Sequence, residues 1–147
     1  MSTTLAENKE LAVRWLDLVS DGDLEGLYRI IAPTWRLYGG PPGKVLVGHE
    51  GLRELFEVHM GPIEQKWTID DVIAEGYRVV VRATNTCMQD EFAGVPARGK
   101  RQVFTATFTF RIADGLIVEQ WRNADDLGRL LQLGARIVAG DEASIST

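Results

Sequence analysis

The sequence is poor in the residues that build covalent and metal sites, with one cysteine and two histidines among 147 residues. The single thiol, Cys87, cannot form an intrachain disulfide. The histidines, His49 and His59, lie ten positions apart and do not have the spacing of metal ligands. We therefore expect no metal and no cofactor. We interpret Cys87 as a packed thiol rather than a nucleophile, because it falls in an apolar strand pattern.

Several features that would indicate other classes of protein are also missing. No apolar run approaches the roughly 18 residues of a membrane span, and residues 1–9 do not predict a signal peptide. Glycine-rich phosphate loops and the G-x-S-x-G elbow of serine hydrolases do not occur. The net charge of −5 argues against nucleic acid and anionic membranes as partners. We expect a cytoplasmic protein with a small-molecule ligand.

The first half of the chain has helical periodicity. Thr4 and Glu7 form a capping box for a first helix, and Asp23 is placed to cap a second. We expect the second helix to end at Pro33, because the residue before proline resists helical geometry. A third helix is predicted to end at Gly61-Pro62.

The second half has the composition of β-strands, rich in valine, isoleucine, threonine and aromatic residues. A short strand is predicted at 35–38 and long strands at 67–75, 77–89, 103–112 and 116–123, with a tight hairpin turn at Asp114-Gly115. Helices followed by hairpin-connected strands indicate an α+β fold with an antiparallel sheet. We predict one domain over residues 1–147, with an ordered core of about 4–138 and a frayed tail from Gly140.

Alternation along the last strand predicts that Glu119, Trp121 and Asn123 share one face with Ile117. Both faces of the sheet mix polar and apolar residues. A ligand pocket on one face and a partner subunit on the other would explain this mixture, and polar groups satisfied by their neighbours would explain it as well. Arg82, in the middle of a strand, is expected either to pair with Glu119 or to bind an oxyanion or a catalytic carboxylate.

The last helix is predicted to begin at Asp125 or Asp126, with three leucines turned inward: Leu127, Leu130 and Leu131. Either aspartate can serve as a helix cap. Alternatively, a carboxylate at the mouth of an apolar cavity would have a raised pKa, which suits a general base or acid near neutral pH. His59, on an apolar helical face, is interpreted as a packed or pocket-rim residue or as a catalytic one.

Three segments of the sequence resemble the SnoaL-like polyketide cyclases: 70–82, 91–100 and 114–134. The resemblance implies an NTF2-like cone, in which a curved sheet and helices enclose an apolar pocket, and a homodimer or higher oligomer formed through the outer sheet face. In the cyclases of this family an aspartate near the last strand serves as acid and base in an intramolecular aldol closure. The matching position is Asp125, four residues after Trp121.

By the same resemblance, four side chains are expected to line the pocket: Trp15, Tyr28, His59 and Trp121. The cyclases often carry a histidine immediately before the tryptophan, where Gln120 stands here. In the related limonene-epoxide hydrolases an Asp-Arg-Asp set activates water, and both acids are replaced, by Thr84 and Asn123. Ketosteroid isomerases share the cone, but their tyrosine and protonated aspartate have no clear counterpart.

The leading hypothesis is a cofactor-free enzyme that removes a proton next to a carbonyl in a hydrophobic substrate. Asp125 would be the base, Arg82, Asn123 or a bound water would stabilise the enolate, and Thr84 would contribute to substrate binding. The main alternative is a non-catalytic protein that binds a small apolar ligand in the same cone. An isomerase or an epoxide-hydrolase-like enzyme is a third possibility. A carboxylate that faces an enclosed cavity favours the enzyme, and one used only for capping favours the binding protein.

Overall fold

The computed structural model describes residues 2–140, in which helices pack against a curved six-stranded sheet. The helices are α1 (Leu5–Asp21), α2 (Leu24–Tyr28), α3 (Gly48–Glu54), which continues as a π-helical segment (Leu55–Met60), and α4 (Asp126–Gln132). The strands are β1 (Ile31–Tyr38), β2 (Leu46–Val47), β3 (Ile63–Glu75), β4 (Arg78–Gln89), β5 (Glu91–Phe92), β6 (Val95–Pro96), β7 (Gln102–Ala113) and β8 (Leu116–Ala124). The predicted α+β class is confirmed. All of the predicted tail except Gly140 lies outside the described residues.

The main sheet has the strand order β2-β1-β8-β7-β4-β3. Every neighbouring pair is antiparallel except β1 and β8, which run parallel. The short strands β5 and β6 pair only with each other and form a separate ribbon between β4 and β7. No helix within residues 2–140 is long and apolar enough to cross a membrane.

The helix starts follow the predicted capping chemistry. Thr4 accepts the backbone N–H of Glu7 at 3.1 Å, and the Glu7 carboxylate accepts the N–H of Thr4 at 3.0 Å. Asp23 caps α2 through the N–H of Gly26. The predicted helix end at Pro33 is wrong, because α2 ends at Tyr28 and Pro33 lies within β1. Pro33 falls where the β1–β8 pairing shifts register, so its missing N–H interrupts no ladder position.

The hairpin turn at Asp114-Gly115 is confirmed, and both residues have the positive φ that a two-residue turn of this kind requires. A bulge follows in β8, where Ile112 pairs with Ile117 but Arg111 pairs with Glu119. One extra residue reverses the alternation of side chains along the rest of the strand. The predicted faces are therefore wrong beyond Ile117: Gln120 and Arg122 lie on the inner face, and Glu119, Trp121 and Asn123 lie on the outer face.

Aromatic side chains fill the space between α1 and the inner face of the sheet. Trp15 of α1 packs on Phe108 and Phe110, with ring centroids 5.7 and 6.0 Å apart. Trp67 of β3 meets Phe104 and Phe108 edge to face. Contacts of this kind add about 0.5–1.5 kcal/mol per pair to the effect of burial. The core of the protein is therefore the inner face of β3, β4, β7 and β8 covered by α1.

Helix α4 packs in a different orientation from the predicted one. Leu127 and Leu131 are 51% and 49% exposed, whereas Arg129 is 5% exposed. The orientation is set by hydrogen bonds to the start of β7: Arg129 binds Gln102, and the Gln132 amide binds both backbone groups of Val103. The predicted inward leucine face is therefore wrong for Leu127 and Leu131.

Candidate active site

The junction of β8 and α4 places two neighbouring aspartates in different environments. Asp125 caps α4, with Oδ1 accepting the N–H of Gly128 at 2.9 Å, and its backbone N–H binds the carbonyl of Thr105. The side chain is exposed, and Oδ2 makes no hydrogen bond within residues 2–140. One carboxylate oxygen at this helix N-terminus is therefore available to an incoming ligand.

Asp126 is fully engaged by a cation from the inner face of the sheet. Its two oxygens accept hydrogen bonds from Nη1 and Nη2 of Arg122, each at 2.8 Å. Arg122 also donates to the carbonyl of Gly39 at 3.3 Å, and its side chain is only 17% exposed. Bidentate pairs of this geometry are among the stronger hydrogen-bonded contacts in proteins. The pair fixes the angle at which α4 leaves β8, and it leaves Asp125 as the accessible acid.

Several polar atoms in the core have no protein partner. Gln120 is fully buried, and its Oε1 accepts the indole N–H of Trp35 at 3.1 Å, but its Nε2 makes no hydrogen bond. Within the described residues, the following buried side-chain atoms also lack a hydrogen-bond partner: Nδ2 of Asn8, the indole nitrogens of Trp15 and Trp67, Oδ1 of Asn85 and Nε2 of Gln102. Buried polar atoms in proteins normally have partners, so these atoms are exceptions within the core.

A second polar cluster lies at the start of β7. The Arg129 guanidinium donates from Nε to Oε1 of Gln102 at 2.7 Å, and from Nη2 to Cys87 Sγ at 3.5 Å and to Oε1 of Gln89. The Cζ atom of Arg129 lies 3.8 Å from the ring centroid of Phe92 and 4.6 Å from that of Phe104. Burial lowers the pKa of Arg129 and raises the pKa of the Cys87 thiol.

The helical residues predicted to line a pocket do not lie together. Trp15 is in the core, whereas Tyr28 stacks on His49 with ring centroids 4.6 Å apart. His59 contacts Glu54 at 2.9 Å. Hydrogen bonds from Lys44 and from His59 lower the pKa of Glu54. Lys44 and Glu54 line a surface cavity of about 370 Å³ together with residues of β2 and α3.

The remaining predicted residues lie on the outer face of the sheet. Arg82 binds Asp71 at 2.8 Å, and Thr84 donates to Asp70 at 2.8 Å. The predicted Arg82–Glu119 pair is wrong, since Glu119 instead accepts hydrogen bonds from Arg111 and from Tyr38. Asn123 is exposed on this face, opposite Thr107.

Trp121 stacks on Tyr38, with centroids 5.4 Å apart and Arg78 over its ring. Trp121 therefore lies on the side of the sheet opposite the aromatic core. Of the residues predicted for the site, Asp125 lies at the junction of β8 and α4, and Asn123 precedes it by two positions on the outer face. Within residues 2–140, no group of three or more histidine, cysteine, aspartate or glutamate side chains is arranged to hold a metal ion.

The model of the SnoaL-like polyketide cyclases matches residues 9–133 of the chain. The chain belongs to this family. Among curated proteins, none matches the sequence. TsrD from Streptomyces laurentii is 30% identical in structure-based comparison, with a TM-score of 0.79, covering 92% of this chain and 100% of its own.

Two further solved structures share the fold across their length. A protein from Jannaschia sp. CCS1 assigned as a SnoaL-like polyketide cyclase is 24% identical, with a TM-score of 0.79, and covers 93% of this chain and 98% of its own. IdmH, a candidate polyketide cyclase from Streptomyces antibioticus, is 28% identical with a TM-score of 0.74, and the match covers 87% of this chain and 99% of its own.

Sequence reasoning does not find two features of this candidate site. The Arg122–Asp126 pair was hidden because the bulge in β8 changes which residues face inward. The burial of Arg129 is not predicted, because helical periodicity favours the neighbouring leucines as the buried residues of α4. Gln120, at the position where the cyclases often carry histidine, presents an unpartnered buried N–H.

Proposed function

We propose that this chain is a cofactor-free acid/base enzyme that acts on a hydrophobic small molecule containing carbonyl groups. The observation that supports it most is that the two aspartates have different partners. Asp126 has both carboxylate oxygens bound to Arg122, whereas Asp125 has one oxygen without a hydrogen bond within residues 2–140. By the resemblance to the SnoaL-like cyclases, Asp125 matches the position of their acid/base residue.

In this proposal Asp125 removes a proton from the carbon next to a substrate carbonyl. The resulting enolate attacks a second carbonyl of the same molecule, a carbon–carbon bond forms, and the new alkoxide takes the proton back from Asp125. The reaction consumes no oxidant and no reductant. The enolate oxygen requires N–H donors, and the predicted stabilisers Arg82 and Asn123 lie on the outer face of the sheet.

The proposal is tested by deuterium exchange into the α-carbon of aryl ketones and 1,3-dicarbonyl compounds in D₂O, followed by NMR. Asp125→Asn keeps the helix cap, since asparagine caps as well as aspartate, but it removes the base. We expect its exchange rate to fall by about 100-fold or more, as for loss of a general base. Asp23→Asn, which makes the same change at the cap of α2, is the matched control and should leave the exchange rate unchanged. Equal rates for wild type and Asp125→Asn would contradict the proposal.

A second candidate function is favoured by the hydrogen bond that Asp125 spends on capping α4. In that case the protein binds a small apolar ligand without transforming it. Native mass spectrometry of the purified protein, before and after incubation with the same ketones, separates the two functions. A binding protein would retain the ketone unchanged and without deuterium, whereas an enzyme would release labelled or cyclised product.

We further propose that a second copy of the chain covers the outer face of the sheet. This face mixes threonines with apolar side chains such as Ile73, which is 64% exposed, and with the opposite charges of Arg82 and Asp71. A two-fold interface pairs a surface with itself, and a patch of mixed charge is suited to that arrangement. Light scattering after size exclusion should give twice the 16.3 kDa chain mass for wild type and the monomer mass for Ile73→Asp.

A further inference from the structure

Arg129 is a cation that the fold buries without a counterion. It is 5% exposed, and no carboxylate within residues 2–140 lies at ion-pairing distance from it. Burial of an unpaired charge is costly, and such groups in proteins are normally matched by an opposite charge. The nearby acid, Asp126, has both oxygens on Arg122. The protein therefore leaves a positive charge unmatched inside the start of β7.

The neighbours of Arg129 orient the guanidinium but do not neutralise it. Gln89 and Gln102 contribute neutral amide oxygens. The raised pKa of Cys87 keeps that group as a thiol, because burial disfavours the thiolate. Phe92 and Phe104 pack against the guanidinium and thereby fix the orientation of its plane.

The cluster also contains unused donors beside the cation. Gln102 is fully buried, its Oε1 is taken by Arg129, and its Nε2 has no partner. Nη1 of Arg129 makes no hydrogen bond within the described residues, because the guanidinium donates through Nε and Nη2. An amide N–H beside guanidinium N–H groups is a donor set that matches the two oxygens of a carboxylate.

The cluster is one helical turn from the proposed acid/base. The backbone N–H of Arg129 binds the carbonyl of Asp125 at 3.1 Å, so both residues belong to the same turn of α4. Phe92 comes from the β5–β6 ribbon, which pairs with no strand of the main sheet. An aromatic ring that stacks on the guanidinium from such a ribbon can also contact the ring of a planar ligand.

We propose that Arg129 and Gln102 form a receptor for the carboxylate of an aryl or similarly planar conjugated ligand, with Phe92 against its ring. The inference rests on the proposed function in that this ligand is taken to be the substrate, which would then be a carboxylic acid as well as a ketone. Binding itself does not depend on Asp125, so the two proposals fail separately.

The test measures binding of 2-naphthoate and of its neutral analogue 2-naphthamide by calorimetry. Wild type and Asp125→Asn should both bind the carboxylate at least tenfold more tightly than the amide. Arg129→Gln should reduce that ratio to about one. Arg136→Gln removes the same charge from an exposed position seven residues later and should leave the ratio unchanged.

Gln102→Glu is a second variant, and it is expected to fold as stably as wild type. It supplies Arg129 with an internal carboxylate, so the melting temperature should hold or rise while binding of 2-naphthoate is lost by tenfold or more. A merely structural Arg129 predicts no preference for the carboxylate in wild type, or an unchanged preference in Gln102→Glu, and either result overturns the proposal. If wild type prefers the carboxylate over the amide but shows no deuterium exchange, the receptor is supported and the role of Asp125 is refuted.

Discussion

Asp125 and Gly128 fit together because position 128 has no side chain. The Asp125 carboxylate accepts the Gly128 N–H at 2.9 Å, and a Cβ at position 128 would overlap both carboxylate oxygens. The same Asp-x-x-Gly arrangement occurs at Asp23 and Gly26, where a Cβ would likewise meet the carboxylate. The glycine therefore determines where the proposed base is held.

Gly128→Ala should displace the Asp125 carboxylate and reduce ketone exchange by at least tenfold. Its effect on stability should be small, because alanine gains about 1 kcal/mol of helix propensity while the lost cap costs about 1 kcal/mol. Gly26→Ala, which displaces the other cap, is the matched control and should leave the exchange rate unchanged. Full activity of Gly128→Ala would mean that the capped position of Asp125 is irrelevant to function.

The Arg122–Asp126 pair should contribute to stability as a unit. Asp126→Asn leaves a largely buried guanidinium without its counterion and should destabilise the protein by about 1–3 kcal/mol in urea unfolding. The double variant Arg122→Gln with Asp126→Asn should be less unstable than the sum of the single variants. Additive losses would show that the two side chains do not interact in solution.

Trp35 fixes the buried amide of Gln120. Trp35→Phe removes the only hydrogen bond that the Gln120 side chain makes within residues 2–140, and an orphaned buried carbonyl costs about 1–3 kcal/mol. Adding Gln120→Leu to this variant should recover part of that loss, since both polar partners are then gone. Thermal unfolding of the three variants is the measurement. A double variant no more stable than Trp35→Phe would contradict the assignment.

Glu119 should make stability depend on pH in the acid range. The hydrogen bond from Arg111, with a smaller one from Tyr38, lowers the pKa of Glu119 in the folded protein. The unfolded chain therefore takes up the proton first as pH falls, so this contribution is complete above the ordinary glutamate pKa and is lost as pH falls through the folded value. The difference in stability between wild type and Glu119→Gln should be at most about 1 kcal/mol at neutral pH.

The matching measurement is urea unfolding of both proteins between pH 7 and pH 3. Their stability curves should converge at the acid end, where Glu119 is protonated in both states. A gap that stays constant over this range would indicate that Glu119 contributes through packing rather than through its charge.

Local signals in the sequence predicted the elements that depend on local chemistry. The Thr4–Glu7 capping box, the Asp23 cap and the Asp114-Gly115 turn are each specified by residues within three positions of one another. The α+β class follows from the order of such elements. These features form wherever the local sequence is compatible with the fold.

The candidate site depended on contacts that no local pattern encodes. A single extra residue in β8 reverses its faces, and with it the environments of Trp121 and Asn123. The depth at which α4 docks is set by hydrogen bonds from Arg129 to Gln102, residues 27 positions apart. The alternation of side chains between the two faces of a strand breaks down at such bulges. Helical periodicity, for its part, does not predict that a polar side chain is the buried one.

A crystal structure of the Asp125→Asn variant with a bound aryl ketone tests the central claim most directly. The account predicts that the side chain at position 125 lies about 3–3.5 Å from the carbon next to the ketone carbonyl, the separation of a reacting pair. A ketone bound in the interior with no contact to position 125 would contradict the assignment of Asp125 as the base.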